Sequence, residues 1–284
     1  MANILKGAPA AAALDENTIA LVEELKSKGV HPTLAILRVG EDDGALSYER
    51  GALKRCDKVG VAVKQVILPA DISQDELMRN IEMLNNDATV HGVLMFRPLP
   101  KTLDEAAACA ALDPKKDVDG ITAGSSARIY SGAGDGFPPC TAQSCMEILK
   151  HYGVDPAGKR AVVIGRSLVI GRPVSMLLMA ANATVTMCHT KTVNMPEITR
   201  TADIVVVAAG KAEAITADYF SEGQTVIDVG INWSEKKNKL VGDVDFENVE
   251  PVVSAITPVP AGVGSVTTAV LVSHVAEAAA RGVK

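Results

Sequence analysis

The feature that most constrains this chain is one run, residues 159–192: KRAVVIGRSLVIGRPVSMLLMAANATVTMCHTKT. Residues 161–164 are β-branched and apolar, Gly165 and Gly171 bracket a polar turn, and residues 173–182 carry apolar side chains at helical spacing. Residues 183–188 alternate as a strand. The expected unit is strand–turn–helix–strand, with backbone N–H groups and the positive helix end facing whatever lies above the sheet. Phosphate is the natural guest.

The spacing Gly165-Arg166-Ser167-Leu168-Val169-Ile170-Gly171 departs from the usual G-x-G-x-x-G fingerprint, so the glycines alone discriminate weakly. The end of the second strand says more. An NAD site places Asp or Glu there for the ribose 2′-hydroxyl, whereas an NADP site needs cations and hydroxyls for the 2′-phosphate. This strand ends His189-Thr190-Lys191-Thr192, with Arg166 back in the first turn. Two readings fit that stretch equally: an NADP cradle, or a solvated loop with incidental basic residues.

With 284 residues the chain can bury two compact units more readily than one. No apolar run reaches the roughly 18 residues that cross a bilayer, and the amino terminus has no secretory pattern. The expectation is a cytoplasmic protein with no membrane partner. Cys56, Cys109, Cys140, Cys145 and Cys188 are scattered without a C-x-x-C pair, which suits reduced thiols rather than disulfides or a metal site. A net charge of −6 argues against nucleic acid and requires local cations for any anionic cofactor.

From the amino terminus, helix is expected over 14–30, capped by Asp15 or Asn17 and stopped at Gly29, then a buried strand over 33–39. Helix over 46–59, strand 61–68, helix 74–84, strand 91–96 and helix 103–111 follow. Alternation without hairpin signals implies a parallel sheet. The Ser/Gly/Pro-rich run 125–139 reads as the linker, leading to helix 142–152 and the second unit. That unit continues with strands 204–208 and 225–229, a hairpin over 233–240, a Pro/Gly loop over 257–264 and a terminal helix over 266–280. The fold class is therefore α/β with two α/β domains, the second Rossmann-like and NADP-binding, and a cleft between them as the expected site.

Nine runs, in order along the chain, resemble one family. They include Tyr48 through Gly60, Arg97-Pro98-Leu99-Pro100, Lys116-Asp117-Val118-Asp119-Gly120, the Gly165-Arg166-Ser167 turn with Gly171, Ile227-Asp228-Val229-Gly230 and residues 257–267. The family is the methylenetetrahydrofolate dehydrogenase/cyclohydrolases, often called FolD. The resemblance implies a folate and catalytic domain over 1–139, completed by a C-terminal helix over 266–284, and a Rossmann-like NADP domain over 140–265. It also implies a folate substrate and a homodimer. The reaction it implies is hydride transfer from methylenetetrahydrofolate to NADP, giving a methenyl cation that water opens in the bifunctional members.

Residue by residue, the resemblance makes Tyr48 the tyrosine that packs on folate and Asp119 the pteridine-binding aspartate, both catalytic. Pro260, Gly262 and Gly264 fall on substrate-binding positions. Gly165, Arg166, Ser167, Gly171, Thr190, Lys191 and Ile231 fall on cofactor-binding ones. Taken without the resemblance, Tyr48 is a helix-surface or core tyrosine, Asp119 a turn former before Gly120, and the glycines simple turn geometry.

The family's catalytic lysine stands four residues after the tyrosine, about 400° around a helix and so on the same face. This chain has Ala52 there. Lys54 is rotated about 120° away. The glutamine that assists the lysine is Phe96, Arg97 beside it is a poor base, Ala45 stands where serine is usual, and Ala261 and Ser265 replace a glycine and a proline. The expectation is an NADP-dependent dehydrogenase whose cyclohydrolase step is weak or lost. The alternatives are a fully bifunctional enzyme, in which another group replaces the lysine, and a folate- or nucleotide-binding protein without turnover.

Overall fold

In a computed structural model, residues 1–41 and 43–283 are described; the side chains of Asp43 and Ala45 fall outside the description, so the Ala45 departure is not placed. The chain opens with β1 (Asn3–Ile4) and α1 (Gly7–Ser27), continues through β2 (Thr33–Val39), α2 (Asp43–Val59), β3 (Ala62–Leu68), α3 (Gln74–Asn86) and β4 (Gly92–Met95), and then through α4 (Glu105–Ala111), α5 (Ala123–Ser131) and α6 (Cys140–His151). Next come β5 (Arg160–Ile164), α7 (Gly171–Ala180), β6 (Thr184–Cys188), α8 (Met195–Arg200), β7 (Ile204–Val207) and β8 (Thr225–Asp228). The hairpin β9 (Asn232–Ser234) and β10 (Lys239–Val241), α9 (Phe246–Val249), β11 (Ala255–Ile256) and α10 (Thr267–Arg281) complete it.

Two compact units result. One comprises Ala13–Cys140 and Thr268–Lys284, the other Met1–Ala12 and Thr141–Thr267. The first holds a parallel three-stranded sheet in the order β3-β2-β4. Its central strand reads Thr-Leu-Ala-Ile-Leu-Arg-Val and is buried throughout its middle, as a parallel strand covered on both faces must be. Helix α3 shows why local sequence suffices here: Ser73 and Glu76 form a reciprocal capping box, and Leu77, Ile81 and Leu84 recur at helical spacing on its buried side.

The second unit holds a six-stranded sheet, β1-β11-β8-β7-β5-β6, whose neighbouring strands all run parallel, and the small antiparallel hairpin β9–β10. Residues 1–12 are a correction to the sequence-based boundary. Asn3 and Ile4 pair with Ala255 and Ile256, and Gly7 N–H donates to Ala261 O at 2.8 Å, so the amino terminus joins the second unit. A two-residue strand has no periodicity to read.

Two further expectations fail for physical reasons. Helix α1 begins at Gly7, a full two turns before the expected caps, because the run 10–13 is alanine, the best helix former. Asp15 therefore lies inside the helix, almost fully buried, and accepts from Arg55 and from Lys58 Nζ (2.8 Å). The supposed linker 125–139 overlaps α5, capped by Thr122 Oγ1, which accepts from Ser125 N–H at 3.0 Å, and ended by Gly132 at φ 73°. Phe137 beyond it is fully buried, with the His274 ring 4.7 Å away and the Arg281 guanidinium 3.9 Å above its face. Ser/Gly composition marked a linker where long-range packing had made a fixed segment.

Candidate functional site

In the three-stranded unit, α2 carries Tyr48. Its neighbour Glu49 is buried and anchors the helix: Arg38 Nε donates to Glu49 Oε2 (2.8 Å) and Gln65 Nε2 to Glu49 Oε1 (2.6 Å), tying α2 to β2 and β3. A buried pair of this kind adds little net stability but fixes geometry, since breaking it strands a charge. Tyr48 is half-buried, and the Phe96 ring meets it edge-on, centroids 6.0 Å apart at 79°. Ala52 on the same helix is fully buried, while Lys54 is exposed.

Sequence reasoning overlooked Arg55. Seven residues advance about 700°, within about 20° of Tyr48, so Arg55 shares its face. The guanidinium is committed to Asp15 and, through Nε, to the Thr268 hydroxyl at 3.3 Å. Arg97 sits 3.8 Å from Glu105.

The two aspartates of the Asp117-Val118-Asp119 run separate cleanly. Asp117 is fully buried and saturated: it accepts from the N–H groups of Ile121 (3.0 Å) and Thr122 (2.8 Å) and from Ser125 Oγ (2.6 Å). Its work is to hold the start of α5. Asp119 is half-buried, and Cys140 N–H donates to its Oδ1 at 3.3 Å. Burial pushes the Asp119 carboxyl above its usual range, against the opposing effect of the Cys140 hydrogen bonds. Val118 O between them accepts from Cys140 Sγ (3.3 Å) and meets His274 Nδ1 at 2.9 Å, which fixes the backbone on which Asp119 stands.

In the six-stranded unit, β5 and β6 are adjacent and in register, Ile164 beside Cys188, and Gly165 N–H donates to Cys188 O at 2.9 Å. The turn with Gly165, Arg166, Ser167 and Gly171 and the turn with Thr190 and Lys191 thus leave one sheet edge side by side. Gly165 has φ +126°, where a Cβ would strike Ala208 O, and a Cβ on Gly171 would strike Gly165 O. Ser167 closes the turn, its Oγ accepting from Ile170 N–H (3.1 Å) and its carbonyl from Arg172 N–H (3.0 Å). Helix α7 opens without a side-chain cap or an acidic residue in its first turn. Arg166, Thr190 and Lys191 are exposed, and residues 165–172 and 189–194 contain no carboxylate. A backbone cradle with no room for a Cβ, flanked by exposed cations and a hydroxyl, fits a 2′-phosphorylated dinucleotide.

Pro260, Gly262 and Gly264 meet Ile231 in this same unit, around a cavity of about 240 Å³ that Asp228 also lines. A Cβ on Gly264 would stand 3.2 Å from Ile231 Cδ1. Ala261 adopts φ +76°, the left-handed region that glycine occupies without strain. Residues assigned to folate and to cofactor are therefore neighbours here, whereas Tyr48 and Asp119 belong to the other unit. The structure also brings up Asp228 and Asp243, which the sequence motifs contained without any assigned role.

A model of the tetrahydrofolate dehydrogenase/cyclohydrolase catalytic domain matches residues 5–119, and a model of the NAD(P)-binding domain of the same family matches residues 139–283. The chain belongs to the tetrahydrofolate dehydrogenase/cyclohydrolase family. Among its relatives, the bifunctional protein FolD of Alkaliphilus oremlandii is 47% identical over 278 residues, covering 98% of this chain and 97% of that one. The FolD of Clostridioides difficile is 47% identical over 275 residues, 97% and 96% of the two chains. The crystal structure of the bifunctional enzyme FolD from Campylobacter jejuni superposes with a TM-score of 0.94 at 38% identity, covering 99% of both chains. That of the Trypanosoma brucei enzyme, complexed with NADP cofactor and inhibitor, gives 0.91 at 33% identity over 100% and 99%. A tetrahydrofolate dehydrogenase/cyclohydrolase of this fold has a Rossmann-like NAD(P) domain, and the six-stranded unit supplies it.

Proposed function

We propose that this protein oxidises methylenetetrahydrofolate to methenyltetrahydrofolate with NADP, and that its cyclohydrolase step is weak or lost. The cofactor is NADP: the Gly165 turn and the Thr190 turn offer cations without a carboxylate, and the Trypanosoma brucei relative is complexed with it. When bound, NADP supplies the hydride acceptor. The chain's share is positioning. Gly165, Ser167 and Gly171 present backbone to the phosphates, Arg166, Thr190 and Lys191 pair with the 2′-phosphate, and Ile231 gives an apolar wall. Tyr48 packs on the folate, Asp119 pairs with the polar edge of its pteridine, and Pro260, Gly262 and Gly264 let backbone approach a flat ligand.

Water attack on the methenyl cation asks for a base. The observation that carries the proposal is the fully buried methyl of Ala52 on the helix of Tyr48, with the Phe96 ring against the tyrosine. Neither side chain accepts a proton. Lys54 is exposed, and the Arg55 guanidinium, always protonated, is held by Asp15. General base catalysis is worth about 10²–10⁴-fold, so hydride transfer survives such a loss and hydrolysis does not. A fully bifunctional enzyme is the second reading, favoured by relatives at 47% identity that carry the name bifunctional.

Following NADPH formation and methenyl disappearance separately distinguishes them. The expected result is rapid reduction of NADP with methenyl decay at the buffer rate; enzyme-dependent methenyl hydrolysis as fast as reduction establishes the bifunctional reading. Combining Ala52→Lys with Phe96→Gln should raise hydrolysis by about 10²-fold or more. The proposal further places the protein in the cytoplasm as a homodimer. Among the described residues no helix is long and apolar enough to cross a membrane, and β6 is a free edge of the six-stranded sheet; light scattering on the purified protein tests the dimer.

A further inference from the structure

Across the six-stranded sheet, Cys188, Ile164, Val207 and Asp228 lie in one register row, on β6, β5, β7 and β8. Asp228 therefore stands level with the residues that precede the Gly165 and Thr190 turns, at the carboxyl edge where open parallel sheets take their ligands. With the 2′-phosphate partners at the β6 end of that row, the far half of a dinucleotide crossing the edge falls above β7 and β8.

What occupies that end is a pair of interlocked carboxylates. Asp228 Oδ1 accepts from the N–H groups of Gly230 (3.0 Å) and Asp243 (3.1 Å), and its Oδ2 from Val244 N–H (3.0 Å). Asp243 accepts from the N–H groups of Gly210 and Lys211 and from Asn232 Nδ2, each at 2.9 Å. The Thr257 hydroxyl accepts from Asp228 N–H at 2.7 Å. Segments following β7, β8 and β10 are thus laced to two side chains, and Thr257, following β11, to the Asp228 backbone.

The lacing admits no bulk. A Cβ on Gly230 would enter the Asp243 carboxyl, and a Cβ on Gly242 the Asp228 carboxyl. Both carboxyls are buried, and burial pushes Asp228 up to about 7, opposed by its three backbone N–H bonds. Burying two acids is an expensive way to close a loop. The segment they clamp from both sides, Gly230 to Asn232, carries Ile231, which is 61% exposed and lines the cavity with Gly264.

We propose that Asp228 and Asp243 are positioning residues for the cofactor: they hold the Gly230–Asn232 backbone so that Ile231 stands as a fixed apolar wall for the nicotinamide-bearing half of NADP. The proposal rests on the NADP reading above. Trp233 provides the readout, because it is the single tryptophan, 60% exposed, two residues beyond Ile231 and next to the Asn232–Asp243 bond.

The experiment titrates NADP into the full-length protein, following Trp233 emission, for the wild type, Asp243→Asn, Asp228→Asn, Ile231→Ala and the Asp243→Asn/Ile231→Ala double variant, with KM for NADP and for folate measured alongside. Misplaced site geometry commonly costs about 10–100-fold, so the aspartate variants should raise both Kd and KM for NADP by that factor and leave KM for folate within about twofold. In the double variant the losses should not add, since both act through one side chain. Asn232→Ala removes one tie without altering a buried charge, and serves if the aspartate variants fail to fold; it should show the same pattern more weakly. Wild-type affinity in the variants, or additive losses in the double variant, overturns the positioning role. A wild-type protein that does not bind NADP overturns the parent reading as well, so the two failures are told apart.

Discussion

The turn after β5 and the helix α2 that carries Tyr48 make an instructive pair. In the turn, an exposed cation, Arg166, stands without a carboxylate beside it, and the glycines sit where no Cβ fits. On α2 the position one turn beyond Tyr48 is a buried methyl, and the ring that meets Tyr48 edge-on is Phe96. Binding surfaces need shape and complementary charge. A proton-transfer step needs one titratable group at one place. On the proposed reading, the fold loses one of two consecutive reactions with two side chains and keeps the other.

Removing Asp119 should break the folate half most severely. With Asp119→Ala, a substrate group that pairs with a part-buried carboxylate loses its partner, and kcat/KM for methylenetetrahydrofolate is expected to fall by about 10²–10³-fold, with NADP affinity unchanged by titration. Retained folate turnover would mean that Asp119 is only the turn former before Gly120. The cofactor half is sharpened by Arg166→Ala, which deletes one charge-assisted pair to the 2′-phosphate. KM for NADP should rise by about 10–100-fold, KM for NAD should not, and an equal rise for both would place Arg166 elsewhere on the dinucleotide.

The smallest effect concerns backbone alone. Ala261 sits at φ +76°, and an L-residue there costs about 1–2 kcal/mol. Ala261→Gly relieves that strain while the glycine loses more chain entropy on folding. A net gain of about 1 kcal/mol, read from denaturant melts, is expected; a loss would show that the methyl is packed rather than strained.

Particular residues show how far the sequence could be read. The core strands and amphipathic helices were legible because their signal is local: residues 33–39 form β2 as expected, and 74–84 became α3 with two residues added. The Gly165 and Gly171 turn was equally plain. Boundaries failed where the decisive contact was remote. Asp15 read as a cap and proved to be a buried acceptor for Arg55, 40 residues away, and the run 125–139 read as linker although Phe137 packs under His274.

By itself, then, the sequence determined the two α/β units, the glycine-bearing turn after β5 and the presence of Ala52 and Phe96 where the family resemblance led one to expect a lysine and a glutamine, because hydrophobic period, glycine placement and residue identity are written in order along the chain. Only the tertiary structure decided that Asp117 is saturated while Asp119 accepts from Cys140 N–H at 3.3 Å, that Arg55 is already engaged, and that Asp228 and Asp243 tie down the segment bearing Ile231. The function of a polar group is set by the partners it finds, and those partners come from strands and loops far away in sequence.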